Sequence, residues 1–108
     1  MRVAFTHSAR ADLTAIGRYI LEHNPSRADT FLDELRHCCF EIADMPEAFA
    51  LVHLPRVGAL RRRVFERYLI FYQTDHATVT IVRILHGARN YEQILARQTK
   101  RILGGSDV

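Results

Sequence analysis

The sequence predicts a small α+β fold. It combines a mainly antiparallel sheet, made of a first strand and a three-stranded meander, with a helical hairpin and a C-terminal helix. Three observations carry this. Residues 56–90 contain two apolar runs, Tyr68–Tyr72 (YLIFY) and Val79–Leu85 (VTIVRIL), separated by a polar link from Gln73 to Thr78. Both runs are rich in the aromatic and β-branched side chains that fit a pleated surface. The link, with Asp75 near its middle, suits one of the longer hairpin turns. Ahead of these runs lie two stretches with apolar residues at helical spacing, separated by Asn24–Pro25 and stopped by Pro46.

In chain order, Arg2 to Thr6 (RVAFT) alternates enough for a short first strand within residues 1–7. Ser8 has the chemistry of an N-cap for a helix from Ala9 to about Glu22. Ala9, Leu13, Ile16 and Ile20 fall on one face of that helix. Gly17 costs it about 1 kcal/mol relative to Ala, unless a neighbour packs closely there. Ser26 followed by Asp29 resembles a capping box and opens a second helix to about Met45. Ala28, Phe31, Leu32, Leu35, Cys38, Cys39 and Ile42 form its inner face. Together residues 9–45 make a helical hairpin that lies across the sheet and covers its apolar face. Glu47 to Gly58 contains Pro55, has no period and reads as a loop.

The meander, residues 59–86, begins with Leu60–Glu66 (LRRRVFE), followed by a tight turn around Glu66–Arg67. Asn90 and Gln93 have N-cap and N3 spacing for a last helix over residues 90–103. Tyr91, Ile94, Leu95, Gln98 and Ile102 form its stripe, Gly104–Gly105 ends it, and Ser106 to Val108 fray. The expected core includes Leu13, Ile16, Phe31, Leu35, Ile70, Tyr72 and Ile84.

Composition narrows the possibilities. The 108 residues suit one domain with a single real core. With 48% hydrophobic and 25% charged residues the chain reads as globular rather than disordered. No run approaches the roughly 18 apolar residues that span a bilayer. The N-terminal MRVAFTHSARAD lacks the apolar centre of a signal peptide, so a cytoplasmic location is expected. Cys38 and Cys39 are adjacent and read as two thiols partly buried on a helix, not as a disulfide framework. The net charge of +3 is unevenly spread: ten of the fifteen basic residues lie between Arg56 and Arg101, whereas Asp29 to Glu47 carries six acids against one arginine. A basic C-terminal half suits an acidic partner.

The six histidines show no metal-ligand spacing, and neither a Gly-rich phosphate loop nor a nucleophile elbow occurs. Neither metal nor cofactor is expected. Carboxylates on the first two helices read as solvated faces. Arginine is the residue that stands out, because it grips carboxylates and phosphates bidentately. Arg61 and Arg63 share one face of a strand and Arg62 takes the other. Arg83 interrupts an apolar strand with the parity of Val79, Ile81 and Leu85, which points to a partner or an internal ion pair. Arg89 follows in HGAR. Edge protection against sheet–sheet aggregation is the other role open to Arg61–Arg63.

The order of elements resembles the ParE/RelE superfamily of bacterial toxins, as do SARADLTAI in the first helix, RYLIFYQ and IVRILHGARN. The resemblance runs from about Val3 to Leu95. It implies a toxin encoded beside an antitoxin that neutralises it, a ParD-like ribbon-helix-helix protein. It also implies one of two targets: RelE-like members cleave mRNA on the ribosome, and ParE-like members block DNA gyrase. RelE-like members carry G-Y-R-x-x-Y in the strand that here reads Arg67-Tyr68-Leu69-Ile70-Phe71-Tyr72, so their arginine is replaced by Leu69. Their second arginine matches Arg89, and their terminal tyrosine falls at Leu95. The resemblance therefore implies the gyrase-directed branch, with no catalytic residue and with Arg61, Arg62, Arg63, Arg83 and Arg89 meeting partners. The alternative is an endoribonuclease using His86 and Arg89.

Overall fold

The computed structural model describes residues 1–99. Its elements are β1 (Arg2–Phe5), α1 (His7–His23), α2 (Pro25–Glu41), a single 3-10 turn (Ile42–Asp44), β2 (Ala50–Leu54), β3 (Gly58–Phe65), β4 (Tyr68–Thr74), β5 (Thr78–His86) and α3 (Tyr91–Thr99). They form a five-stranded sheet of order β1-β5-β4-β3-β2. β1 runs parallel to β5, and every other pairing is antiparallel. The expected α+β class and the order strand, helical hairpin, meander, helix are those of the molecule. The expected end of the last helix, Ile102 and Gly104 to Val108 lie outside the described residues.

The alternation along β4 divides the sheet's side chains between two cores. Tyr68, Ile70 and Tyr72 meet Leu13, Ile16, Phe31, Leu35 and Cys39 of the helical hairpin, with Val79, Ile81 and Ile84 beside them. Phe71 and the half-buried Leu69 join Leu54, Leu60, Val82, Leu85 and Leu95 on the opposite face. Both faces of β4 are apolar because both are covered, the second by α3. The hairpin interface is tight where Gly17 sits: a Cβ there would lie 2.8 Å from Leu32 Cδ1. The glycine is the close approach that offsets its helix penalty.

Local signals were displaced in four places. Thr6, not Ser8, caps α1: its Oγ1 accepts from Ala9 N at 3.0 Å, and the helix begins at His7. Thr6 is already in extended backbone, as an N-cap must be. Ser26 builds no capping box, because Pro25 occupies the first turn of α2 and the Ser26 hydroxyl donates to Asn24 Oδ1 instead. α2 stops at Glu41, and the 3-10 turn continues only to Asp44. Residues 47–58 are not all loop. β2 pairs with β3 from Ala50↔Arg62 to Leu54↔Gly58, making the meander four-stranded. The turn between them has Pro55 at its second position, Arg56 at φ 66 at its third, and Val57 N donating to Leu54 O. This is the pattern of a type II turn with arginine in place of glycine. Cys39 is fully buried and its thiol is pushed up to about 12, chiefly by burial and then by Cys38.

β1 covers β5 only as far as Ile81, so the rest of that edge needs other partners. A β-bulge falls there: Tyr72 pairs with Ile81 and Phe71 with Arg83, leaving Val82 as the extra residue. The bulge corrects the parity expected of Arg83. Val79, Ile81 and Ile84 share the hairpin core, whereas Val82 and Leu85 share the other. The freed Val82 carbonyl accepts from Thr6 Oγ1 (2.7 Å) and Gln98 Nε2 (2.9 Å). Asp12 of α1 takes the rest. Its Oδ2 accepts from Arg83 Nε (2.7 Å) and Ile84 N (2.9 Å), and its Oδ1 accepts from Arg83 Nη2 (2.8 Å). Arg83 is thus one half of an internal ion pair.

Three outcomes follow from this architecture. Leu35→Asp should abolish the cooperative melt, because a carboxylate without a partner at a fully buried position costs several kcal/mol. A soluble, cooperatively melting variant would refute the core. Asp12→Ala should cost about 3–5 kcal/mol in urea denaturation by leaving Arg83 uncompensated. Replacing Asp12 and Arg83 together by Leu and Met should recover only part of this, since the Ile84 N–H stays unpaired at about 1–3 kcal/mol. Asp75 accepts from Ala77 N and Thr78 N, and these bonds hold its carboxyl below the ordinary value of 3.8. A depressed folded-state value gives stability that is fully present above the unfolded value and lost as pH falls through the folded one. The stability difference between wild type and Asp75→Asn should therefore be flat above about pH 4 and shrink below it, as read by melts across pH.

Candidate functional site at the end of the sheet

The register places the arginines expected to meet partners. Arg61 and Arg63 pair with Tyr72 and Ile70 and so face the hairpin, while Arg62 pairs with Phe71 and faces the α3 side. Arg61 Nη1 donates to Phe49 O at 2.7 Å and to Glu47 O at 3.3 Å, and Tyr72 Oη donates to Pro46 O at 2.6 Å. These bonds satisfy the carbonyls of the segment entering β2. Arg63 donates to Cys38 O (2.8 Å) and Glu41 Oε1 (3.0 Å), with its guanidinium 4.8 Å from the centre of the Phe49 ring. It thereby serves the last turn of α2, where carbonyls lack helical partners and a cation is favoured.

Arg61, Arg63 and Arg83 are therefore held within the chain. Arg62 and Arg89 make no side-chain hydrogen bond or ion pair among the described residues, and Arg62 Nε is buried without an acceptor.

Arg89 belongs to a second grouping. Where β4 begins and β5 ends, the sheet faces the middle of α1 across a shallow concavity of about 170 Å³. Its polar lining is Asp12 and Tyr19 from α1, Tyr68 from β4, His86 from β5 and Arg89 from the following turn. Tyr19 lies two turns beyond Asp12, so fixing Asp12 on β5 also fixes Tyr19 over this end of the sheet. Tyr68 is only 9% exposed, packed edge-on against Phe31 and against His86 at 5.7 and 5.5 Å between ring centres. Its hydroxyl has no hydrogen-bond partner among the described residues. Burial, and secondarily the Tyr19 phenol, push Tyr68 up, so it is a protonated donor at neutral pH. His86 Nδ1 accepts from Ala88 N at 3.1 Å, which leaves the proton of the neutral ring on Nε2.

The sequence pointed to His86 and Arg89 but not to Tyr68, Tyr19 or Asp12. The available signal was Asp12 itself, an acid on the apolar stripe of Ala9 and Ile16. The other two positions matched to RelE-like function lie elsewhere. Leu95, on the inner side of α3, is 1% exposed, and Leu69 is packed against the same core. Among the described residues no three His, Cys, Asp or Glu side chains are grouped to hold a metal, and no helix is long and apolar enough to cross a membrane.

Comparison with known proteins agrees with the fold and extends it. The family model described as "ParE toxin of type II toxin-antitoxin system, parDE" matches residues 3–91. A protein of Caulobacter vibrioides named Toxin RelE2 is 36% identical over 89 residues, covering 82% of this chain and 97% of the relative. A structure described as the chromosomal ParDE TA system from P. aeruginosa superposes with a TM-score of 0.68. It shares 19% identity and covers 80% of this chain and 95% of that one, a likeness of fold. With the family model spanning most of its length and a relative above 30% identity, this chain belongs to the ParE toxin family of type II toxin–antitoxin systems.

Proposed function

We propose that this toxin acts by binding DNA gyrase and trapping it on DNA, and that a cognate antitoxin, a ParD-like ribbon-helix-helix protein, neutralises it. The observation that carries this reading is the packing of Leu69 and Leu95. At the two positions where RelE-like members carry an arginine and a tyrosine, this chain has hydrocarbon packed in the core between α3 and the sheet. Cleaving RNA there requires one group to take a proton from the 2′-hydroxyl and another to protonate the leaving oxygen. Trapping an enzyme on DNA requires surface and charge but no general base. Arg62, Arg89 and the outward side of α3, which includes Glu92, Gln93 and Arg97, are the candidate contacts.

For the antitoxin, the exposed Phe40, Met45 and Leu51 offer apolar surface on the hairpin side and the outer strand. Arg61, Arg63 and Arg83 could meet its acids only by exchanging internal acceptors. Their contribution is to register and association rate more than to affinity.

A second reading rests on the concavity. Arg89 and His86 line it together with Tyr68, so a ribosome-dependent endoribonuclease could use His86 as its acid or base there. The engagement of Nδ1 by Ala88 weighs against a base role for that nitrogen.

Induction in cells, with DNA breakage and translation followed in parallel, separates the two. DNA breakage should rise before translation falls. Purified toxin should inhibit gyrase, with inhibition weakened roughly ten-fold or more in Arg62→Gln/Arg89→Gln. Leu69→Arg should confer no ribonuclease activity. Cleavage of mRNA on ribosomes, with both cleavage and growth arrest lost in His86→Ala, would establish the second reading.

A further inference from the structure

The two edges of the sheet are finished differently. At the β1 edge, Arg2 N and Thr6 N donate to Ala77 O and Ile81 O, so alternation turns the backbone groups of Val3 and Phe5 outward. Arginine guards that side: Arg2 is exposed at the start of the strand, and Arg10 Nη1 donates to the outward Phe5 O at 2.9 Å. Charged side chains are one of the ways edge strands resist pairing with other chains. The β2 edge, Ala50–Leu54 (ALVHL), has no such guard and carries no Lys, Arg, Asp, Glu or Pro. Leu54 O accepts from Val57 N across the turn, so Leu54, Val52 and Ala50 direct their backbone groups to β3. The N–H and C=O of Leu51 and His53 therefore point away from the sheet, and among the described residues no strand pairs with them. Both side chains are exposed, that of Leu51 at 51% being one of the large apolar groups left in water.

We propose that β2 pairs antiparallel with β2 of a second copy of this chain, about a two-fold axis through Val52. The strand is self-complementary in that register. Leu51 and His53 lie equally far from Val52, so the outward N–H and C=O of Leu51 meet those of the second copy's His53, and the reverse. Val52 meets its own counterpart on the α3 side, where it already packs half-buried against the second core. Charge selects the direction. Asp44 and Glu47, both exposed, precede the strand, and the exposed Arg56 follows it. Antiparallel pairing brings the acidic end of each copy to the basic end of the other, whereas parallel pairing would set like charges side by side. A segment acidic throughout would gain from Arg56 but meet Asp44 and Glu47, so the pattern fits the chain itself better than an acidic peptide. The strand's five residues are far fewer than the roughly 20–30 residues a side of a standard interface, so the dimer is weak and forms as toxin free of antitoxin accumulates. Self-pairing does not depend on which target the toxin acts on.

Sedimentation equilibrium of the purified toxin, from micromolar to millimolar concentration, should show a reversible monomer–dimer equilibrium. Over the same range the Leu51 and His53 amides should gain protection from hydrogen exchange. Leu51→Lys, which supplies the missing edge charge, should abolish the dimer. His53→Pro removes an outward donor and no bond to β3, so it should weaken the dimer about ten-fold while melting like wild type. Glu47→Arg and Arg56→Glu should each weaken it several-fold, and the two together should restore it. These residues stand at opposite ends of β2, so contact between copies is what couples them. A monomer at every concentration would overturn the proposal, as would a dimer that survives both Leu51→Lys and His53→Pro, or a charge exchange that restores nothing. Amides protected at every concentration would mean that residues 100–108 of the same copy cover the edge. Amides protected only on adding antitoxin would give the edge to an antitoxin strand. Either result would also overturn the proposal.

Discussion

The carboxylate of Asp12 sits where three parts of the chain need it. It neutralises Arg83, it takes the Ile84 N–H that β1 does not reach, and it fixes the rotation of α1 against the sheet. Neither charge is tolerable alone at about 10–16% side-chain exposure, so each requires the other. Because the guanidinium binds in a fork, the pairing has direction as well as energy. The hairpin cannot slide or rotate along β5 without breaking it. That constraint brings Tyr19 opposite Tyr68 and His86, so the hollow at the end of the sheet is a by-product of a structural ion pair.

The uneven charge of the sequence has a comparable internal use. The acidic stretch from α2 to β2 and the arginine-rich β3 are fastened to one another. Arg63 reaches Glu41, and Arg61 reaches the backbone carbonyls of Glu47 and Phe49. Arg27 makes a similar fastening at the other end of the hairpin, pairing with Glu34 and with Glu66 in the β3–β4 turn. That turn holds Glu66 at φ 52, an uncomfortable backbone for a residue with a side chain, and the ion pair helps to keep it there. Counting arginines therefore overstates the charge offered to partners. The outward share is set by Arg89 and the other exposed basic residues, with the half-buried Arg62 beside them.

What could be read from the sequence follows from the range of each signal. The hydrophobic period fixed the inner faces of α1 and α2, because an apolar stripe has one place to go. Leu13, Ile16, Phe31, Leu35, Ile70, Tyr72 and Ile84 all entered the hairpin core as expected. β2 escaped because it is a short edge strand with Ala50, Leu51 and His53 exposed, and because Pro55 and Gly58 marked its turn more strongly than Val52 and Leu54 marked the strand. The Val82 bulge escaped because a period-two pattern has no way to encode one extra residue. Of the candidate site, His86 and Arg89 were legible as polar residues closing an apolar strand. Tyr68 was not, since a tyrosine in a strand reads as packing until its hydroxyl is seen to lack a partner.

The pairing of β1 with β5 has a consequence for how the protein is made. The contacts that close the fold join residues 71 to 76 positions apart: Thr6 with Val82 and Asp12 with Arg83 and Ile84. Loop closure of that length comes late and slowly compared with helix or hairpin formation. During synthesis the first strand and the buried acid of α1 emerge long before their partners, so the nascent chain carries an unpaired edge and an uncompensated carboxylate until β5 has left the ribosome. Folding is thereby tied to the emergence of β5. The meander, whose contacts are local, can assemble beforehand and wait for the N-terminus to dock.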